Sequence, residues 1–394
     1  MNYLARAEKF GQDIEAIKSG KLVTSEIIVH SLDEFREFFA AGQSDAQRQA
    51  YQQSRPVDNG IDPNLVLAMD YVFGQQEKTQ QVEQIADLLF PLPILVTSGT
   101  SKTFDSDEVV GPQASPWALN VGTLTFSGGS LTVNSTVSNI TADNLVIDPT
   151  PTTSSNNVYH IGIVGNPGTD GSPAQDVGPY PGTGGPGGSG GDPVWGTCNA
   201  GGIGGKGSQG TTGYTGNLGN TGGPGVASMT STIIIAAFDP SNITPFVVQS
   251  YSGAGGTGSK GGTGGKGQQG GTGGDGCSSG CEGSNGGIGG PGGQGGTGGT
   301  GGNGGDAVAG STNLINFPAS ASTYLKTFTK SVDAGPSGDG GDGGPGGDGG
   351  DGGRGGKHSH DGAPGGVGPL GGVGANGTSS SVSGAAGNIS VTYT

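Results

Sequence analysis

The side chains of this chain that are best suited to chemistry lie in three short inserts within glycine-rich sequence. The inserts are residues 192–200, 277–282 and 357–361, and they contain all three cysteines and two of the four histidines. Thiols and imidazoles form disulfides, bind zinc or act as nucleophile and base. The candidate site residues are therefore Trp195, Cys198, Cys277, Cys281, Lys357, His358 and His360.

Three interpretations of these inserts remain open. In the first, Cys277 forms a disulfide with Cys281 or Cys198 and fixes a turn, as in extracellular proteins with small cores. In the second, cysteines and histidines bind zinc, although a Cys-x3-Cys spacing is not diagnostic. In the third, the inserts contact a partner and the thiols are incidental. Neither a positioned base nor a pocket is visible, so we predict no enzymatic activity, no cofactor and no resident metal.

The glycine-rich sequence around the inserts repeats with a period of three residues. In the second tract glycine recurs at every third position from Gly255 to Gly276 and again from Gly283 to Gly304. The third tract keeps the same period from Gly335 to Gly356 and from Gly362 to Gly377, and the first keeps it from Gly201 to Gly225 and less regularly before its insert. This is the period of the polyproline-II helix, and it fits neither an α-helix nor a β-strand.

Collagen and a disordered linker fit the glycine content less well. Collagen needs proline at about 15–20% or more, whereas this chain has 23 prolines in 394 residues and loses its phase at each insert. A disordered linker has no reason to keep a three-residue phase over many triplets. We therefore interpret each tract as a hairpin of two extended left-handed helices, with its insert at the tip.

The predicted fold class is mixed. An α-helical attachment or assembly domain (1–92) is followed by a small β domain (93–160) and by a glycine-rich domain (161–394) of six antiparallel polyglycine-II helices alternating with β segments. Capping boxes at Ser31 and Ser44 and an apolar stripe near residues 75–90 indicate the helices. Short alternating runs between 93 and 160 fit a sandwich or a few coils of a β-solenoid. Hairpins leaving one β base would gather their tips at the opposite end.

Charged residues inside the glycine tracts follow the same period. Asp339, Asp342, Asp348 and Asp351 fall in one phase, and Lys260 and Lys266 share a phase in another tract. The apolar residue that a calcium-binding nonapeptide requires after the aspartate is missing. A solvated acidic stripe that pairs with the two lysines is the interpretation we favour.

Charge and hydropathy restrict the partners. The net charge of −16 argues against nucleic acid, and no apolar run reaches the ~18 residues of a membrane span. No apolar signal segment is visible near residue 1. We expect an extracellular protein without a classical signal peptide, or a component of a virion or surface appendage.

The glycine tracts resemble two groups of polyglycine-II proteins over roughly residues 162–387. One is the distal tail-fibre adhesins of T-even-like phages, whose glycine-rich domains carry receptor-contacting loops. The other is the snow-flea antifreeze proteins, which have six antiparallel helices braced by disulfides. The first resemblance implies a cell-surface receptor as partner, and the second implies an ice-binding face.

Three functions follow from these observations. The chain is a binding or adhesion protein that presents the tip inserts to a receptor or surface, or it is a structural subunit of an extracellular filament, fibre or surface assembly. In the second case its partners are copies of itself, with homo-oligomerisation through residues 1–92. Ice binding is a third interpretation, but charged residues interrupt its in-phase threonines Thr257, Thr263 and Thr272.

Overall fold

The computed structural model describes residues 2–54, 63–113, 115–148, 159–194, 201–239 and 244–394. Its helices lie in the N-terminal part, apart from a short 3₁₀ helix at Ala319–Tyr324. In the described residues the α-helices are α1 Tyr3–Lys9, α2 Ile14–Lys18, α3 Leu32–Phe39, α4 Asp45–Ser54, α5 Pro63–Phe73 and α6 Gln80–Leu89.

The strands form two sheets. They are β1 Val23–Val29, β2 Leu92–Phe104, β3 Glu108–Val110, β4 Trp117–Phe126, β5 Leu131–Asn134, β6 Ser138–Ile147, β7 Ile161–Val164, β8 Ser231–Ile235, β9 Phe246–Tyr251, β10 Thr312–Phe317, β11 Leu325–Thr329 and β12 Asn388–Tyr393. The seven-stranded sheet has the order β1-β2-β4-β6-β8-β10-β12, and the five-stranded sheet has the order β11-β9-β7-β5-β3.

Successive strands from β2 onward alternate between the two sheets. Each coil of the chain therefore adds one strand to each sheet, and all pairings are parallel except that of β1 with β2. Parallel pairing needs a long connection between successive strands of the same sheet. Here each connection passes through a strand of the opposite sheet. Strands from all three predicted ranges, 1–92, 93–160 and 161–394, share the seven-stranded sheet.

Two hydrophobic cores cover the two faces of the seven-stranded sheet. Between the sheets lies a core that includes Phe126, Phe246 and Phe317, with the Phe246 and Phe317 rings stacked at 6.1 Å. On the other face, α3, α5 and α6 bury a second core around Phe39 and Phe73. Burial on both faces explains why β4, β6 and β10 consist almost entirely of apolar and small polar residues.

The glycine-rich sequence leaves this two-sheet stack at the same point of three successive coils. It forms six extended segments: segments one and two (165–191 and 201–226) between β7 and β8, three and four (253–277 and 283–308) between β9 and β10, and five and six (335–356 and 360–384) between β11 and β12. Backbone hydrogen bonds join them at every third residue. For example, Gly293 N donates to Gln268 O at 2.8 Å and Gly292 N donates to Gly366 O at 2.9 Å.

Glycine occupies most positions at which two of these segments touch. A Cβ at Gly290 would lie 1.9 Å from Ser208 O, and a Cβ at Gly350 would lie 2.0 Å from Gly271 O. Non-bonded atoms cannot lie so close together, so a side chain at either position would push the neighbouring backbone away. The period of three therefore records contacts between neighbouring backbones. Segments one, three and five form one layer on the side of the five-stranded sheet, and segments two, four and six form the other.

The fold class predicted from the sequence is wrong. The structure is an α/β fold built on a seven-stranded mixed sheet and a five-stranded parallel sheet with few helices, and it is not a bundle of polyglycine-II helical hairpins. The prediction failed because glycine spacing shows where backbones meet but does not determine the architecture. That architecture follows from the apolar strands between the tracts, which pair across the tracts and bury the cores.

The N-terminal part also differs from the predicted α-helical domain. β1 pairs antiparallel with β2 and forms one edge of the seven-stranded sheet. Two helix starts were predicted correctly: Glu34 N donates to Ser31 Oγ, and Ser44 and Gln47 cap each other reciprocally. The helix predicted near residues 75–90 is α6, which begins at Gln80. Among the described residues, the structure contains no helix with the length and hydrophobicity of a membrane span.

Candidate functional site

The described residues of the three inserts lie at the end of the glycine-rich segments away from the sheets. The first insert contacts the second, and the third contacts the residues that directly follow the second. The structure thus places the described residues of the inserts at one end of the glycine-rich segments. Trp195 and Cys198 lie outside the described residues. The remaining candidate residues are Cys277, Cys281, Lys357, His358 and His360. We call this region the tip.

A carboxylate links the first insert to the second. Ser279 Oγ donates to Asp192 Oδ1, and Cys277 Sγ lies 3.5 Å from the same oxygen. The hydrogen bond from Ser279, followed by that from Cys277, lowers the pKa of Asp192 below its usual value because both bonds stabilise the charged form. The carboxylate is therefore ionised at neutral pH and holds two inserts together.

Backbone hydrogen bonds link the start of segment four, directly after the second insert, to the third insert. Gly283 N donates to Lys357 O at 2.8 Å, and Gly286 N donates to His360 O at 3.0 Å. The Asn285 side chain returns a bond by accepting from His360 N at 3.0 Å. His358 has a φ of +58°, a left-handed conformation that is uncommon outside glycine. The third insert is thus a tight turn fixed at both ends.

The cysteines differ from the predicted pairing. Cys277 carries a free, buried thiol, whereas Cys281 is exposed and disulfide-bonded. The first of the three interpretations, in which Cys277 forms a disulfide, is therefore wrong. Cys277 N donates to Ser284 Oγ at 2.8 Å, and the thiol fills the space between the first two inserts. Its role in the structure is packing.

The zinc interpretation gains no support from the structure. Within the described ranges, no three His, Cys, Asp or Glu side chains lie close enough together to hold a metal ion. The acidic stripe of segment five behaves as predicted: Lys260 Nζ lies 2.7 Å from Asp342 Oδ2, and Lys266 Nζ lies 2.6 Å from Asp348 Oδ2. These are exposed pairs between segments three and five, and each contributes little to stability.

The outer surface of the tip is polar and of mixed charge. Lys357, His358 and His360 are exposed, as are the neighbouring Glu282 and Asp361. Such groups form hydrogen bonds and ion pairs with a partner but do not enclose a small molecule. A cavity of about 350 Å³ lies elsewhere, lined by α1, α3 and the seven-stranded sheet. The tip is therefore a surface for contact.

Sequence reasoning missed the residues that hold the inserts together, namely Asp192, Ser279, Ser284 and Asn285. Ser284 Oγ donates to Gly202 O in the first tract. These residues are polar and interrupt or border glycine runs, and this position is the only sequence feature that could have drawn attention to them. Their partners are about 75 to 87 residues away in sequence, so no local pattern identified them.

Comparison with known proteins gives little further information. No protein-family model and no curated protein sequence matches this chain. Among solved structures, a nine polyproline type II helical bundle springtail antifreeze protein from Granisotoma rainieri is 23% identical, over 44% of this chain and 94% of that chain, with a TM-score of 0.07. A similarity at that TM-score carries no argument about fold or function. The resemblance to polyglycine-II proteins stays a sequence-based expectation.

Proposed function

We propose that this chain is a non-enzymatic binding or adhesion protein that presents its tip to a receptor or surface outside the cell. The interlocking of the three inserts is the observation that supports the proposal. Asp192 joins the first insert to the second, and Asn285 joins the second region to the third. Exposed groups from different tracts thereby form one surface of fixed shape, and binding to such a surface loses less conformational entropy.

The experiment is saturable binding of fluorescently labelled protein to a glycan array and to intact microbial cells. Lys357→Ala combined with His360→Ala removes two exposed tip groups without touching the backbone bonds that hold the insert. We expect this variant to lose at least about tenfold in affinity, or about 1.4 kcal/mol.

The matched control is Lys260→Ala, which removes an exposed lysine from the side of segment three. It should bind like the unmodified protein. Absence of saturable binding to every probe, or equal loss in both variants, would count against the tip as the binding surface.

A structural subunit is the second candidate, and one observation favours it. β12 forms one edge of the seven-stranded sheet. Open strand edges are sites of pairing between chains. Fibres in negative-stain images of the purified protein would favour this role, and uniform single particles would favour the binding role.

A further inference from the structure

The last glycine-rich segment breaks the pattern that the earlier ones keep. In segment four, the residues whose Cβ would point at segment five are all glycine, including Gly286, Gly289 and Gly292, which would meet carbonyls of segment five at 1.9–2.0 Å. The equivalent residues of segment two, from Gly204 to Gly225, are glycine as well. In segment six this row is Pro364, Val367, Leu370, Val373, Asn376, Ser379 and Val382.

The apolar members of this row are well exposed. The exposed fractions of Val367, Leu370 and Val373 are 72%, 73% and 72%. Their side chains occupy the space that a seventh glycine-rich segment would need. The row therefore prevents a further segment from adding to the bundle and leaves an apolar ridge on its outer face.

Backbone N–H groups beside the ridge have no hydrogen-bond partner among the described residues. In segment three, Gly264, Gly267 and Gly270 donate to segment five. The equivalent residues of segment five are Gly343, Gly346 and Gly349, and their N–H groups donate to no group in the described part of the chain. Near the two ends of the row, side chains of segment six accept the hydrogen bonds of the equivalent N–H groups. Asn376 Oδ1 accepts from Gly340 N, and Asp361 Oδ1 accepts from Gly355 N.

The strand that follows segment six continues the same face. β12 bonds to β10 through the N–H groups of Asn388 and alternate residues after it. Ladder groups alternate along a strand, so the N–H and C=O groups of Ile389, Val391 and Tyr393 point away from the sheet. Tyr393 is 48% exposed, and Ile389 and Val391 are only partly buried at the open end of the core between the sheets.

Apart from His360 and Asp361 at its start beside the tip, segment six carries no charged side chain, and β12 carries none. Residues 362–394 contain no Asp, Glu, Lys, Arg or His, although the whole chain has a net charge of −16. β11, one edge of the other sheet, carries Lys326 and is followed by Lys330, which are residues that discourage edge pairing. An acidic protein can bring two copies of itself together only where like charges do not meet.

We propose that this face, formed by segment six and β12, is an interface with a second copy of this chain. Among the described residues, it combines the N–H groups of segment five and the backbone groups of β12 that have no partner with an apolar ridge. It is therefore complementary to itself, as a two-fold interface requires. At about 3 Å per residue, residues 364–393 extend about 90 Å, and two backbone layers are about 10 Å wide. The resulting area of about 900 Å² per copy compares with about 800 Å² per partner in stable complexes.

The test is sedimentation equilibrium of the full chain, which measures its mass in solution, at concentrations up to about 100 µM. These concentrations cover the dissociation constants of weak to moderate association. The unmodified protein should approach twice its 38.3 kDa monomer mass. Leu370→Asp and, separately, Val373→Asp place a charge on the ridge and should raise the dissociation constant about 100-fold. Both residues are exposed in the single chain, so circular dichroism should show unchanged folding.

Leu218→Asp is the matched control. Leu218 is 71% exposed on segment two, on the other side of segment four from segment six, and its variant should associate like the unmodified protein. A monomeric unmodified chain at every concentration would overturn the proposal. So would unchanged association of both ridge variants, or an equal loss of association in the Leu218 variant.

Discussion

Two adjacent glycines beside the tip give a direct test of how the inserts are held. A Cβ at Gly190 would lie 1.8 Å from Gly202 O and 3.1 Å from Cys277 N, whereas a Cβ at Gly191 would meet nothing within 4 Å. Gly190→Ala and Gly191→Ala are the same chemical change one residue apart. We expect the first to open the tip and the second to leave it intact.

The magnitude follows from the contacts around Gly190. An ordinary contact between a methyl carbon and another atom is about 3.5 Å, so segments one and two must separate locally by about 1.7 Å. Gly190 N donates to Asp275 O at 2.8 Å, and Gly202 N donates to Gly191 O at 2.9 Å. Neither bond survives such a shift. At about 1 kcal/mol for each lost bond, and more for a donor left unpaired, the cost is about 2–4 kcal/mol.

The assay uses Cys277, a residue that is only 4% exposed and whose thiol packs against Asp192 across the same junction. In Gly190→Ala its rate of modification by a thiol reagent should rise about 30-fold to several hundredfold, at 1.4 kcal/mol for each factor of ten. Gly191→Ala should react at the rate of the unmodified protein. Equal rates in all three proteins would refute the idea that close backbone packing holds the inserts.

Three further predictions concern the sheets, the helices and the bundle. His160 Nδ1 accepts from Val247 N at 3.0 Å, and burial lowers the pKa of His160 from 6.5 to about 4. Between these two pH values the unfolded chain binds a proton that the folded chain does not, so chemical denaturation should show the free energy of unfolding falling by about 2–3 kcal/mol from pH 6.5 to pH 4. The His160→Asn variant should lose less stability over the same range. Ser31→Ala removes the cap that accepts from Glu34 N and should lower the free energy of unfolding by about 1 kcal/mol, whereas Ser19→Ala, which alters an exposed hydroxyl beyond the end of α2, should change it by less than about 0.5 kcal/mol. Gly293→Ala, whose Cβ would lie 1.9 Å from Thr211 O, should lower the melting temperature, whereas Gly366→Ala, with nothing within 4 Å, should leave it unchanged or raise it slightly.

The sequence allowed correct prediction of local features. The caps at Ser31 and Ser44 and the pairing of Lys260 and Lys266 with the acidic stripe depend on residues at fixed spacing, and the structure contains them. The glycine period correctly marked where backbones approach one another. It did not reveal that the strands between the tracts build two sheets.

The missed features depend on pairing between distant residues. β6 pairs with β8, placing Ile140 beside Ile233 across a whole glycine tract, and no short-range pattern specifies that partner. β1 was missed because a helix and an exposed-edge strand compete in a short run such as Val23–Val29, whose alternate residues are half-buried. Asp192 was missed as the link between inserts because its partner Ser279 lies 87 residues away.

Residue-resolved amide hydrogen exchange across residues 253–384 tests the backbone packing of the glycine-rich segments most directly. In segment four, two of every three amides donate to a neighbouring segment, as Gly292 and Gly293 do, while in segment six only one of three does, as Gly368 does. We predict a slow, slow, fast repeat in segment four and a slow, fast, fast repeat in segment six. Uniformly fast exchange in both segments would contradict this packing.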